Sequence, residues 1–566
     1  MKLTGAEIIL ECLLEQGVDT VFGYPGGSVL NIYDALYEYS DKIRHILTAH
    51  EQGASHAADG YARSTGRTGV VIATSGPGAT NLVTGLATAN MDSVPVVAIT
   101  GNVGCSSLGL DSFQEVDITG VTIPITKHNY IVKDITKLAD TIREAFYLAN
   151  SGRKGPVLID VPKDVTAAQC EYTPKQPQPI PVENHTTAHE LERAAALIME
   201  AKRPFVYTGG GVIASEAAEP VLELVNRMDA PVSSSLMGQG SFDNTDPRYM
   251  GMLGMHGTVT AAKAIENCDL FVGLGTRFSD RVIGDKSTFA KNAKILQIDI
   301  DPAEVNKNIS VDLALIGDVK AVLEQLLPLL PQQNHSEWME QIQSWKQEYP
   351  LVMKADDPEA VTPQDVIETL DELTKGDAII TTEVGQHQMW AAQFYKFRHP
   401  RSFVSSGGLG TMGYGFGAAM GAQVGNPDKR VINIAGDGSF HMNCNELVTA
   451  YKFQIPMIEM LFNNNVLGMV RQWQRLFYGR RFSQTTLDRG TDYMLLAQAY
   501  HIKGLRITKK SDIRPVLEEA LSLHEPVLIE CVIDRDINVL PMVPAGADIT
   551  KPITHITIEE KEGGAQ

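Results

Sequence analysis

Short β-branched runs bounded by glycine and proline alternate, along nearly the whole chain, with stretches whose apolar residues recur every three or four positions. That pattern predicts strands followed by helices, and hence parallel α/β sheets. Residues 68–100, TGVVIATSGPGATNLVTGLATANMDSVPVVAIT, read as strand, Gly-rich turn, helix and strand, and residues 429–464, KRVINIAGDGSFHMNCNELVTAYKFQIPMIEMLFNN, repeat the order. Similar units at both ends predict two related domains with ligands at the carboxyl ends of their strands. Between them, PFVYTGGGV, CDLFVGLGTRF and AKILQIDIDP supply strands of another doubly wound piece. The predicted fold class is α/β, with three doubly wound parallel-sheet domains.

Two composition breaks divide the chain. Residues 173–187, TPKQPQPIPVENHTT, are proline-rich and polar, as expected of an extended linker. The second break follows the charged helix SEWMEQIQSWKQEYP, where Thr362 and Pro363 read as N-cap and first residue of a new helix. The expected division is a first domain over 1–172, a central domain over 188–345, a linker over 346–361, a third domain over 362–547 and a polar tail over 548–566. The N-terminal MKLTGAEIILECLLEQG reads as an amphipathic helix carrying acidic residues, which neither a secretory signal nor a transit peptide would contain.

Composition narrows the partners. A formal net charge of −20 argues against a nucleic-acid or anionic-membrane surface and favours a small-molecule substrate. The six cysteines are scattered, with no C-x-x-C pair and no zinc spacing, so buried free thiols in a reducing cytoplasm are expected. No apolar run reaches membrane-spanning length.

The strand VINIAG leads straight into Asp437, a bare carboxylate between Gly436 and Gly438, where a phosphate-binding loop would avoid negative charge. A divalent cation between carboxylate and phosphate resolves the contradiction. One helix and one strand later, Asn464 supplies a second hard oxygen, and the Val466 carbonyl is placed to be a third ligand. Magnesium suits this set, since it takes few protein oxygens and completes its octahedron with phosphate and water. Gly436 and Gly438 admit the phosphates to the main chain, and the amides opening the helix after Ser439 favour their charge. Gly-Asp-Gly by itself also fits an ordinary strand-to-helix turn.

The span from Gly-Asp-Gly to the Asn-Asn pair resembles the thiamine-diphosphate motif. The resemblance extends through FGYPGG, AHEQGASHAADGYAR, TSGPGATN, SGGLGTMGYG and PMVPAGA. The chain is thereby identified as a member of the thiamine-diphosphate enzyme family, and it is most similar to the biosynthetic, FAD-containing acetohydroxyacid synthases. The resemblance implies pyrimidine-binding, central FAD-binding and diphosphate-binding domains, with thiamine diphosphate, Mg2+ and FAD as cofactors. It also implies decarboxylation of pyruvate and ligation to a second pyruvate or 2-ketobutyrate, and a cofactor shared between subunits of an obligate homodimer or a tetramer. A small regulatory subunit is the expected partner.

By the same resemblance Glu51 matches the glutamate that activates the cofactor's pyrimidine, although alone it reads as a solvated loop residue. Gln386 and His387 match diphosphate contacts, the histidine fitting a helix cap equally well. Gly410 is placed to accept from the aminopyrimidine and Met412 to wedge beneath the cofactor; core packing is the alternative for the methionine. Tyr24 and Gln114 resemble contacts near the reacting carbon. Arg281 is the candidate clamp for the second substrate's carboxylate, with a surface salt bridge as the alternative. Trp473, Met469 and Phe113 would form the apolar acceptor wall, and Lys163 would add positive charge at the channel mouth.

In the middle piece, Gly209, Gly210, Gly211, Met255, His256, Gly275, Arg277, Asp280, Arg281 and Asp318 resemble FAD contacts. Ser279 stands where the family commonly has a second aspartate. Two rival readings are a pyruvate oxidase-like flavoenzyme of the same three domains and a non-catalytic scaffold of the same fold. The Trp473 and Arg281 segments favour ligation over oxidation, and the retained Glu51, Asp437 and Asn464 argue against the scaffold.

Overall fold

The computed structural model describes residues 1–353 and 357–556. One compact unit runs from Met1 to Glu183 and resumes after the undescribed residues as far as Ile537; the other begins at Asn184 and takes in the segment from Asn538.

The first unit opens with α1 (Gly5–Glu15), started by a reciprocal capping box between Thr4 and Glu7. Its N-terminal sheet contains β1 (Thr20–Tyr24), β2 (Arg44–Leu47), β3 (Gly69–Ala73), β4 (Val96–Asn102), β5 (His128–Ile131) and β6 (Val157–Pro162), all parallel, in the order β2-β1-β3-β4-β6-β5. Between β2 and β3 lies α2 (Glu51–Thr65).

The second unit holds β7 (Pro204–Thr208), β8 (Val232–Ser234), β9 (Tyr249–Met252), β10 (Leu270–Leu274), β11 (Lys294–Asp299) and β12 (Leu313–Ile316). Their order, β9-β8-β7-β10-β11-β12, reverses between β7 and β10, as in a dinucleotide-binding sheet. The helix α3 (Ser336–Glu348) follows, running three residues into the segment read as a linker; residues 354–356 of that segment lie outside the described residues.

Returning to the first unit, Thr362 caps α4 (Pro363–Thr374) by accepting from the Asp365 N–H, with proline at the first turn as expected. The last sheet comprises β13 (Ile379–Thr382), β14 (Phe403–Val404), β15 (Val431–Gly436), β16 (Ile458–Asn463), β17 (Lys503–Ile507) and β18 (Val527–Val532), in the order β14-β13-β15-β16-β18-β17. This is the N-terminal order strand for strand, so the repeated motif reflects two domains of one topology.

Helices of the last sheet include α5 (Gln386–Phe394), α6 (Gly415–Gly425), α7 (Asp437–Asn443) and α8 (Gly468–Phe477). The two sheets meet in one unit through α2 and α6, which cross at glycines where main chain lies against main chain. A Cβ on Gly60 would fall 2.1 Å from the Ala418 carbonyl oxygen, and one on Gly421 1.8 Å from that of Ala57.

The C-terminal segment departs from expectation. PMVPAGA was expected to close the third domain at 547, but from Asn538 the chain packs on the central unit. The Val543 N–H donates to the Met255 carbonyl (2.7 Å), the Asp285 N–H donates to Ala547 (2.9 Å), and Val543 and Ile549 join the core around Phe271 and Phe278. Residues 557–566 of the expected tail lie outside the described residues. All six cysteines are free, but only Cys12, Cys268 and Cys531 are buried. Among the described residues no helix is long and apolar enough to cross a membrane.

Candidate functional site

In the last sheet the order reverses between β13 and β15, the position where ligands bind such sheets. Gln386 and His387 open α5 just past β13, Asp437 opens α7 at the end of β15, and Asn464 follows β16. The structure brings these together. A Cβ on Gly436 would lie 2.6 Å from His387 Nδ1, and one on Gly468 1.9 Å from Gln386 Oε1 and 3.2 Å from Asn464 Nδ2. Gln386 is held by its amide, which donates to Gln472 Oε1 (3.1 Å) and the Ile537 carbonyl (2.9 Å).

Three buried polar atoms here, Asp437 Oδ1, His387 Nε2 and Gln386 Oε1, have no hydrogen-bond partner among the described residues. Buried polar atoms are rarely left so, and three at one set of strand ends mark a place for a polar ligand. Burial pushes the Asp437 carboxyl up to about 7, against the pull of main-chain N–H groups that include that of Asn464. Burial also takes His387 down to about 3, so its imidazole is neutral. Asn464 Oδ1 accepts from the Val466 N–H (3.2 Å), folding the loop that carries the Val466 carbonyl. Gly438 and Ser439 are buried in the first turn of α7. Among the described residues no three His, Cys, Asp or Glu cluster as a metal site; the candidate set holds one carboxylate.

A second constellation forms at the carboxyl ends of the N-terminal sheet. Glu51 is the first residue of α2 and is buried. Its Oε2 accepts from Asn81 Nδ2 (2.9 Å), while its Oε1 lies 3.2 Å from where a Cβ on Gly78 would sit, so glycine keeps that oxygen accessible. Gln114 adopts a left-handed backbone (φ 59°), and its main chain presses on Gly76 too closely for a Cβ there. Tyr24 ends β1, 40% exposed, and Lys163 is exposed after β6. Phe113 is 88% exposed. Asn81 was not singled out in the sequence, though it closes the quoted TSGPGATN.

Gly410 (φ 69°) and the half-buried Met412 lie on a loop anchored at both ends. Asp92 accepts from the Gly407 (3.0 Å) and Gly408 (2.8 Å) N–H groups, and Glu383 accepts from those of Gly413 (2.7 Å) and Phe416 (3.1 Å). Burial pushes Glu383 up to about 7. Arg63 bridges Asp92 (3.1 Å) and Asp59 (2.6 Å), and Tyr414 donates to Asp59 (2.5 Å). On α8, Trp473 packs edge-on against Phe477 with ring centroids 5.2 Å apart, and Met469 lies half-buried one turn earlier.

In the second unit, Gly209, Gly210 and Gly211 follow β7, and Gly275 and Arg277 follow β10, the two strands flanking the reversal. The turns touch: a Cβ on Gly209 would lie 2.2 Å from the Gly275 carbonyl oxygen, so glycine is required by backbone contact whatever binds there. Met255 donates its N–H to the Arg281 carbonyl (2.7 Å). His256 is buried, which takes it down to about 4. Asp318 caps the helix after β12 by accepting from the Ala321 N–H (3.1 Å), a structural task the sequence reading did not assign it. Ser279 precedes the short helix Asp280–Ile283 without capping it. The Arg281 side chain is 60% exposed, with the exposed Asp280 carboxylate 3.9 Å away.

Three segments match domains described as thiamine pyrophosphate enzyme: the N-terminal TPP binding domain over residues 3–121, the central domain over 191–326 and the C-terminal TPP binding domain over 383–531. An acetolactate synthase from Mycobacterium bovis is 47% identical over 560 residues, covering 96% of this chain and 90% of that protein. An acetolactate synthase large subunit from Porphyra purpurea is 45% identical over 558 residues, covering 96% and 94%. The chain belongs to the thiamine pyrophosphate enzymes and, among them, to the acetolactate synthase large-subunit family.

Proposed function

We propose that this chain decarboxylates pyruvate and ligates the remaining two-carbon unit to a second 2-keto acid. The product is 2-acetolactate from pyruvate and 2-aceto-2-hydroxybutyrate from 2-ketobutyrate, precursors of branched-chain amino acids. The observation that supports this most is the trio of unpartnered buried atoms on Asp437, His387 and Gln386 at the reversal of the last sheet.

When bound, thiamine diphosphate supplies an acidic ring carbon that adds to a keto carbonyl and a cationic ring that takes up the electron pair left by carbon dioxide. Asp437, Asn464 and the Val466 carbonyl would hold Mg2+, whose charge would offset the repulsion between the carboxylate and a diphosphate. Gly438, Ser439, Gln386 and His387 hold the diphosphate itself. Glu51 would engage the cofactor's pyrimidine, and the Gly410 carbonyl would accept from its amino group. Met412 and Met469 shape the site, with Tyr24 and Gln114 near the reacting carbon. Phe113 and Trp473 wall the acceptor position and exclude water, Arg281 pairs with the acceptor carboxylate, and Lys163 adds positive charge at the entrance. Gly209–Gly211, Met255, His256, Gly275, Arg277, Asp280, Arg281 and Asp318 would hold FAD, at the reversal of a dinucleotide-type sheet. Its role is structural, since the net reaction transfers no electrons.

The working form is a homodimer, or a tetramer built from it, in which Glu51 of one chain completes the site of another. Exposed Leu110 (69%) and Phe113 (88%) beside Gln114 support a second chain covering this face. A small regulatory subunit accompanies it, in keeping with the "large subunit" in relatives' names, and the compartment is the cytoplasm. The test is acetolactate formation from pyruvate by the purified chain, with thiamine diphosphate, Mg2+ and FAD omitted in turn. Activity without thiamine diphosphate would overturn the reading.

A further inference from the structure

The Glu51 carboxylate is tethered by Asn81, but the main chain just ahead of it is held from elsewhere. Glu446 lies on the crossover from β15 to β16, on the turn that follows α7. Its Oε2 accepts from the Ala49 N–H (3.0 Å) and its Oε1 from the His50 N–H (3.0 Å). The Thr449 hydroxyl donates to Oε2 (2.6 Å), completing a carboxylate with no solvent exposure. His50 is the N-cap of α2 and Ala49 precedes it, so both N–H groups lie outside the helix ladder and need an outside acceptor. A carboxylate accepting from the orphan N–H groups of a helix start makes a stronger cap than a neutral acceptor, and the Ala49, His50 and Thr449 donors favour its charge against burial, which raises Glu446 from its usual range. The fit is close: a Cβ on Gly53, one turn into α2, would lie 2.2 Å from Glu446 Oε1.

We propose that Glu446 is a positioning residue for Glu51, its carboxylate fixing the main chain at Ala49 and His50 and so setting the direction of the Glu51 side chain. This rests on the reading of Glu51 as the carboxylate that engages the pyrimidine. A gripped main chain on one side and a tethered Oε2 on the other leave Glu51 Oε1 as the free oxygen.

The test uses the full-length protein and Glu446→Gln, whose amide keeps one acceptor but turns an N–H donor toward the other main-chain N–H. In protein without cofactor, amide exchange in a peptide spanning residues 47–53 should accelerate by about 10- to 100-fold, the worth of a hydrogen bond to a charged group. In the loaded enzyme, kcat should fall by at least about 10-fold. The thiamine diphosphate concentration for half-activation should stay within about twofold, because the diphosphate and metal ligands are separate from the clamp. Thr449→Val, which leaves both main-chain bonds in place, should keep kcat near the parent value. If Glu446→Gln does not fold, Glu446→Asp, which keeps the charge but falls short of the N–H groups, should show the same split. Faster exchange with an unchanged kcat, or an equal loss of kcat and cofactor affinity, would overturn the positioning role. Glu51→Gln serves as comparator: if it retains parental kcat, the reading of Glu51 fails and takes the proposal with it.

Discussion

Replacing Gly421 with alanine drives a methyl group into the crossing of α2 and α6. The new Cβ would lie 1.8 Å from the Ala57 carbonyl oxygen and 2.6 Å from its carbon, where ordinary contact starts at 3.4 Å. Both atoms are helix main chain, so no side chain can rotate away and the helices must part by roughly 1.5 Å in a close-packed interior. Overpacking costs about 1–3 kcal/mol, and a clash of main chain on main chain belongs at the top of that range. About 3 kcal/mol is roughly a 150-fold fall in the folded-to-unfolded ratio. Because α2 begins at Glu51, the same displacement should lower kcat. Urea denaturation followed by fluorescence and circular dichroism measures the cost, with Gly155→Ala as control, since its nearest neighbour would be 3.5 Å away. A loss under about 1 kcal/mol with parental activity would refute the view that the two sheets meet through these glycines.

Asp437→Ala should abolish Mg2+-dependent binding of thiamine diphosphate while leaving FAD binding intact, as titration calorimetry and flavin absorbance would read; near-parental cofactor affinity contradicts the metal assignment. Arg281→Gln removes a charge-assisted contact made by the acceptor, so acetolactate formation should fall by about 2–5 kcal/mol in activation terms while carbon dioxide release stays near parental in single turnover. Equal losses in both would place Arg281 on the donor step or in folding. Burial holds His56 down to about 3, with the charges of Arg63 and His50 adding to it. Its neutral form is therefore fully stabilising only above the unfolded value of about 6.5, and the stability it contributes is lost as pH falls toward 3. The stability difference between parent and His56→Gln should thus move against the parent by about 1.4 kcal/mol per pH unit below 6.5; a flat difference would show that His56 charges freely in the folded state.

The architecture was legible wherever local pattern determined it. Apolar strands ending in glycine predicted the turns at Asp437 and Gly209, and Thr362-Pro363 marked a helix start that the structure places there. The repeated motif at the two ends appears as one strand order used twice. Side chains whose environment is made by distant chain were not legible. Glu446 was not singled out in the sequence, and docking of the two sheets buries it against residues almost four hundred positions away. Asn81 lies inside a recognised motif, but only the fold shows that it faces Glu51. Val543 and Ile549 lie in and just after PMVPAGA, and no local signal says which core receives them.

The most direct measurement follows products and oxygen together. The full-length protein, loaded with thiamine diphosphate, Mg2+ and FAD, is given pyruvate with 2-ketobutyrate in an oxygen electrode cell, and the products are resolved by NMR. The expected result is 2-acetolactate and 2-aceto-2-hydroxybutyrate, one carbon dioxide per product, with negligible oxygen uptake. Acetate or acetyl phosphate formed with stoichiometric oxygen consumption, and neither acetohydroxy acid, would contradict it.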